Sequence, residues 1–332
     1  VASGRMVDMN PCLTVTSQVE HALAQAQAPA ARSVFTQLYA TNALKQAQMV
    51  DAARAQGRST AALHGCVLTI KDNIDVANET TLSGGVVCLG EPPAARDATV
   101  VTRLHAAGAV LLGKTNMSEF AFSGVGVNPH HGTPANPCDT KAHRISGGSS
   151  CGAAVSVALG LAHVGVGTDT GGSIRIPAAL CGLVGFKGTQ ARIPRTGVME
   201  LSRTLDTVGC IGRTVADVLR VDAVMSEQTA PVAALDLRGL RFAVPQSLVL
   251  DDLDFAVSHA FEKALKRIRE AGAQVEDVPW HSLNDIAALS QPAGFSPVEG
   301  YAAHHLRLAR GHDCIDPRVV ARMNLGRGVS AQ

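Results

Sequence analysis

Two glycine clusters hold the serines with the most chemical potential in this chain, SGGSSCG at 146–152 and GTDTGGS at 167–173. A Gly-Gly pair usually marks a tight turn between packed elements, and that is the plain reading of each. Each turn, however, also presents a serine at the start of a helix. Pro177 suits a first helical turn, which puts Ser173 at or just before that helix's N-terminus. Glycines there let backbone N–H groups point inward without obstruction. Converging N–H groups beside a nucleophile stabilise a developing oxyanion. The chemistry this pattern suggests is attack by Ser173 on a carbonyl carbon.

Phosphate binding is the first rival, and the spacing argues against it. Neither cluster has the G-x-x-x-x-G-K-[ST] of a phosphate loop. Gly165, Gly167 and Gly171 place one residue too many in the second gap of a dinucleotide fingerprint. A nucleophilic serine needs a base. None of the 12 histidines lies in or beside the two loops, and His163 is a whole strand away. Lysine is the other option. Lys71 ends the apolar run CVLTI (66–70), an unusual place for an ammonium; a surface lysine at a strand end is the competing reading.

Strands and helices must alternate to position these groups. The pattern predicts a helix over 36–56, carried by Ala40, Ala43, Leu44, Ala47 and Val50 and stopped by Gly57. It predicts strands over 66–70, 109–113, 163–167 and 183–186. Between them come a helix capped by Asp97 and closed by Gly108, and a nearly all-apolar helix over 153–162. Val257, Ala260, Phe261, Ala264, Leu265 and Ile268 form the cleanest helical stripe, feeding a strand over 273–279. This alternation implies an α/β fold with a mixed, mainly parallel sheet covered by helices on both faces. PVAALDLRG (231–239) could link two lobes, but a single domain over 1–332 is the expectation.

Composition narrows the function classes. Of the 332 residues 46% are hydrophobic, enough for a sizeable core, and only 3% are aromatic, which disfavours a base-stacking surface. Lys plus Arg is 29 against 28 for Asp plus Glu, so no charge imbalance points to nucleic acid or an acidic membrane. The eight cysteines show no C-x-x-C spacing and read as buried thiols in a reducing compartment. VASGRMVDMNPCL lacks the apolar core of a signal peptide, and no run approaches the length of a membrane span. The expected location is cytoplasmic.

GGSSCG followed by GTDTGGSIRIPAALCGLVGFK resembles the amidase signature family. So do TIKDNIDV (69–76), GKTNMSEFAFSG (113–124) and SRTLDTVGCIGRTVADV (202–218). The likeness covers most of 36–225 in order, with a signature core at about 61–225. It implies the family's large mixed sheet, no cofactor and no metal. It implies a catalytic lysine at Lys71, a bridging serine at Ser149 whose preceding peptide bond is cis, and the nucleophile at Ser173. The implied oxyanion donors are the N–H groups of Thr170, Gly171, Gly172 and Ser173. Ser173 would attack an amide carbonyl, pass its proton through Ser149 to neutral Lys71, and form an acyl-enzyme that water hydrolyses. Neutralising Lys71 would cost roughly 4 kcal/mol, within what burial imposes. Supporting roles fall to Ser150, hydrogen-bonded within its turn, and to Asp169 and Arg175. These two would pair or bond the loop backbone; a substrate-carboxylate role for Arg175 is the alternative. Cys181 reads as packing.

The sequence departs from the family pattern at Cys151, where Gly or Ser is usual, and at Gly188, where Pro is usual. PRVVARMNLGRGVSAQ resembles a segment that members continue well beyond, so part of the sheet and pocket wall is expected to be missing. Three functions follow from the resemblance. The first is hydrolysis of a small carboxamide, by a monomer or homodimer. The second is the glutaminase component of a tRNA-dependent amidotransferase, with partner chains. The third is a truncated, inactive scaffold.

Overall fold

A computed structural model describes residues 14–58, 61–228 and 235–329. The segment 231–234 of the suggested link lies outside them. The chain divides into a larger unit, residues 2–230 with 295–332, and a smaller one, Pro231–Gly294.

The larger unit starts with helix α1 (Val15–Gln25), strand β1 (Phe35–Leu38) and α2 (Ala40–Ala55). Then come β2 (Val67–Lys71), α3 (Thr99–Ala106), β3 (Val110–Thr115), α4 (Cys151–Ala158), β4 (Val164–Asp169) and α5 (Arg175–Leu180). Strand β5 (Val184–Phe186), β6 (Thr207–Gly212) and α6 (Val215–Ser226) complete this run. Its six strands form one mixed sheet in the order β1-β3-β2-β4-β6-β5. The central β3, β2 and β4 run parallel; β1, β6 and β5 pair antiparallel.

The sheet separates two cores. Leu68, Ile70, Val164 and Val166 join Val100, Leu104, Val218 and Val221 of α3 and α6 on one face. Val67, Val110 and Leu112 join α1, α2 and Ala153, Ala154 and Val155 of α4 on the other. Helices therefore cover both faces, and every residue of β2, β3, β4 and β6 is buried. Such strands read as near-continuous apolar runs, which is why most of them were visible in the sequence.

Several local expectations need correction. Residues 36–38 belong to β1, which pairs with β3, and the helix starts only at Ala40. Asp97 does not cap α3, whose N-cap is Ala98; its carboxylate accepts from Ala77 N at 2.7 Å. The 153–162 helix runs instead over Cys151–Ala158, so it begins two residues after Ser149.

The smaller unit is a β-α-β arrangement of parallel strands β7 (Arg241–Pro245) and β8 (Gln274–Val278) crossed by α7 (Phe255–Glu270), followed by the short α8 (Ile286–Leu289). Asp254 caps α7 by accepting from Val257 N at 2.8 Å. The apolar stripe of α7 lines a cavity of about 470 Å³ with Phe242 and Val244. The larger unit resumes with α9 (Phe295–Gly311) and α10 (Pro317–Asn324). No helix among the described residues is long and apolar enough to cross a membrane.

Candidate active site

Strand β2 delivers Lys71 to its C-terminal end with none of the residue exposed. Side chains alternate along a strand, so Lys71 shares the face of Val67 and Thr69. Thr69 Oγ1 lies 3.0 Å from Ser156 Oγ of α4, which places Lys71 on the α4 face. The start of α4 is where the first serine cluster sits. As an ammonium, Lys71 Nζ donates to Ser149 Oγ at 2.7 Å, to Thr168 Oγ1 at 2.8 Å and to the Thr168 carbonyl at 3.3 Å. Asn73 Nδ2 donates to the same Thr168 hydroxyl at 3.0 Å.

Burial pushes the Lys71 ammonium down to about 7, against the opposing fields of the Asp206 and Asp169 carboxylates. Burial also pushes the Cys151 thiol up to about 12, so it stays protonated, and its Sγ–H points at the Asn116 carbonyl at 3.4 Å. A lysine near 7 is substantially neutral at physiological pH and can accept a proton.

Ser149 and Ser150 are completely buried, and the Gly148–Ser149 peptide bond is cis. The loop is fixed by backbone bonds: Gly148 N to the Gly124 carbonyl at 2.8 Å, and Ser118 N to the Ser149 carbonyl at 3.1 Å. A Cβ on Gly148 would come within 2.6 Å of Gly126 N, so only glycine lets the two loops approach this closely. Ser150 bonds across both clusters. Its N–H donates to the Ser173 carbonyl at 3.2 Å and its hydroxyl to the Thr168 carbonyl at 3.2 Å.

The second cluster turns off the end of β4. Asp169, fully buried, accepts from the N–H groups of Gly172 (2.7 Å), Ile174 (3.1 Å) and Arg175 (3.3 Å). The Arg175 guanidinium grips both carboxylate oxygens, Nε at 3.0 Å and Nη2 at 2.9 Å. Burial alone would raise the Asp169 carboxyl; the Arg175 bonds and the loop N–H groups overcome it and hold the carboxyl below its ordinary value. Arg175 is thus occupied inside the turn. So is Gly172 N–H, which removes it from the four expected oxyanion donors and leaves Thr170, Gly171 and Ser173.

Ser173, 6% exposed, lines an open cavity of about 300 Å³ with Thr170, Gly171, Phe122, Ile176, Leu201 and Arg322. Cys181 is a packing residue near this loop: its thiol meets the Ser146 carbonyl at 3.6 Å, and burial pushes it up to about 12. Among the described residues no group of three or more His, Cys, Asp or Glu is placed to hold a metal ion.

Sequence reasoning missed Thr168, Asn73, Asp206 and Arg322. Thr168 lies in the second cluster and Asn73 two residues after Lys71, so proximity was a usable signal for both. Asp206 lies in the quoted 202–218 motif, which gave a local signal without saying what the residue touches; Arg322 comes from a distant segment and carries no local one.

This mixed α/β sheet, with its glycine-rich serine turns meeting a buried lysine, has close counterparts among known proteins. Residues 17–324 match the Amidase family. The chain is 35% identical over 288 residues to 2-amino-5-chloromuconic acid deaminase of Comamonas testosteroni, covering 86% of this chain and 62% of that protein. It is 40% identical over 292 residues to the A subunit of glutamyl-tRNA(Gln) amidotransferase from Anaeromyxobacter dehalogenans (strain 2CP-C), covering 83% of this chain and 59% of that protein. An amidase crystal structure superposes with a TM-score of 0.86 at 32% identity, covering 96% of this chain and 71% of the other. Native peptide amidase from Stenotrophomonas maltophilia gives 0.73 at 30% identity, covering 96% and 73%. The chain belongs to the Amidase family. It spans about three-fifths of the length of the curated relatives, 62% and 59% for these two.

Proposed function

We propose that this chain hydrolyses a small carboxamide to the carboxylic acid and ammonia through an acyl-enzyme on Ser173. The observation that carries the reading is the buried 2.7 Å contact from Lys71 Nζ to Ser149 Oγ, with the lysine near 7. Ser173 attacks the amide carbonyl and gives its proton to Ser149, while Ser149 gives its own to neutral Lys71. The N–H groups of Thr170, Gly171 and Ser173 face the charge that develops on the carbonyl oxygen. The proton returns to the leaving nitrogen, ammonia departs, and water repeats the cycle on the ester. Every described cysteine is free, in keeping with a reducing, cytoplasmic setting.

Acid quench after mixing with a carboxamide tests the reading. Intact mass should rise by the acyl group, the adduct should map to the peptide bearing Ser173, and Ser173→Ala should lose both adduct and turnover while staying folded. A Ser173→Ala protein keeping a tenth of wild-type turnover would refute the assignment.

The similarity to the amidotransferase family of A subunits, 40% identical in one case, favours a second reading as the glutaminase component of such a complex. Ammonia release from glutamine only in the presence of partner chains would select it over the first.

A further inference from the structure

We propose that Asp206 is a positioning residue for the oxyanion turn, held in place by α9 through Glu299 and His304. The inference rests on Ser173 being the nucleophile and adds a residue that contacts neither substrate nor relay. Asp206 is 4% exposed and immediately precedes β6. Its Oδ1 accepts from Thr170 Oγ1 at 2.5 Å. Thr170 is the first residue of the turn that ends in Ser173. On the neighbouring residue, Thr207 Oγ1 donates to the Asp169 carbonyl at 2.8 Å, so two successive side chains of one strand end grip two successive residues of the turn.

The other carboxylate oxygen closes the 200–206 loop. Asp206 Oδ2 accepts from Leu201 N at 2.8 Å and Ser202 N at 3.0 Å. That loop is in turn clamped to α9. Glu299 accepts from the Ser202 hydroxyl, from Thr204 N at 3.1 Å and from Thr204 Oγ1 at 2.5 Å. His304, 1% exposed, contacts the Glu200 carbonyl through Nε2 at 2.7 Å, and Arg307 approaches its Nδ1 at 3.1 Å. Both contacts suit a neutral ring donating from Nε2, and burial pushes His304 down to about 4. A continuous series of bonds therefore runs from α9 through the loop and Asp206 to Thr170. Leu201, from the same loop, and Ser296, from α9, also line the Ser173 cavity.

Asp206 has an electrostatic effect as well. Lys71 experiences the carboxylates of Asp206 and Asp169, the latter paired with Arg175, while Cys151 on the α4 side stays protonated. Asp206 favours the charged lysine, so removing its charge lowers the pH at which Lys71 becomes neutral. A purely structural residue has no such effect.

The test compares Thr170→Val, Asp206→Ala, their double variant and Asp206→Asn, by ammonia release from a carboxamide and by hydrogen exchange of the 167–176 peptide. Asp206→Ala should lower kcat about tenfold or more with KM within about threefold, since a displaced donor costs the transition state rather than binding. Exchange in 170–173 should quicken. The double variant should be no worse than about twofold below the weaker single variant, because both changes break one contact. Asp206→Asn can accept from Leu201 and Ser202 and donate to Thr170, so it should fold, and the acid limb of its rate profile should move to lower pH. Multiplicative losses in the double variant, unchanged exchange in Asp206→Ala, or an unmoved limb in Asp206→Asn would overturn the proposal. If Ser173→Ala keeps its turnover, the nucleophile reading fails separately, and the exchange comparison still decides whether Asp206 holds the turn.

Discussion

At the scale of single residues, Asp169 shows how one charge serves two ends. It satisfies three backbone N–H groups of the turn and pairs with Arg175. Its carboxyl is held below the ordinary carboxylate value, so its stabilising contribution is complete above that value and fades as pH falls through the lower, folded one. Asp169→Asn should therefore lower stability by about 2–3 kcal/mol at neutral pH, read as a shift in urea midpoint, and the gap to wild type should shrink in strong acid. An equal gap at every pH would show that the charge is not what matters. Lys71, Ser149 and Ser173 could be picked out as candidates because each sits in a short, specific motif. Thr168 and Asp206 sit in quoted motifs too, but what they touch was not legible: Lys71 is 97 residues from Thr168, and Thr170 is 36 from Asp206. No spacing rule spans such separations. That Gly172 N–H is spent on Asp169 is not legible for a related reason, since which N–H groups a turn consumes internally depends on where an acidic side chain folds back.

At the scale of elements, the site depends on how closely α4 lies on β4. A Cβ on Gly167 would meet Ser150 Oγ at 2.6 Å and Ser150 Cβ at 3.0 Å. The helix start, with Ser149 just before it, can rest over the strand only because that strand offers no side chain there. Gly167→Ala should push the Ser149–Ser150 loop away from Lys71. We expect kcat to fall about tenfold or more, with an overpacking cost of about 1–3 kcal/mol and an unchanged circular dichroism spectrum. Wild-type kcat in that variant would show that the close approach is not required. The same packing explains which elements were readable. Strands β2, β3 and β4, buried on both faces, stood out as apolar runs, and α7 by its helical stripe. Strand β1 was merged into α2 because its four residues follow no distinct period, and its strand identity comes from pairing with β3. Asp97 read as a cap by residue type alone, but a loop N–H at Ala77 competed for its carboxylate and won.

At the scale of the whole molecule, two cores press a mixed sheet from both sides, and the sheet brings Lys71, the Ser149 loop and the Ser173 turn to the same strand ends. The burial that stabilises this arrangement also lowers the Lys71 ammonium to about 7, so in the proposed relay folding and proton acceptance would rest on one buried amine. The pH profile of kcat/KM for carboxamide hydrolysis by the intact chain, set beside Lys71→Arg, tests that coupling most directly. Neutral lysine is the active form, so the rate should rise with pH, governed by a single group near 7. Lys71→Arg should fold and be nearly inactive across the range, because a guanidinium keeps its proton. A flat profile through neutrality, or a Lys71→Arg variant working at close to wild-type rates, would contradict the Ser173–Ser149–Lys71 relay.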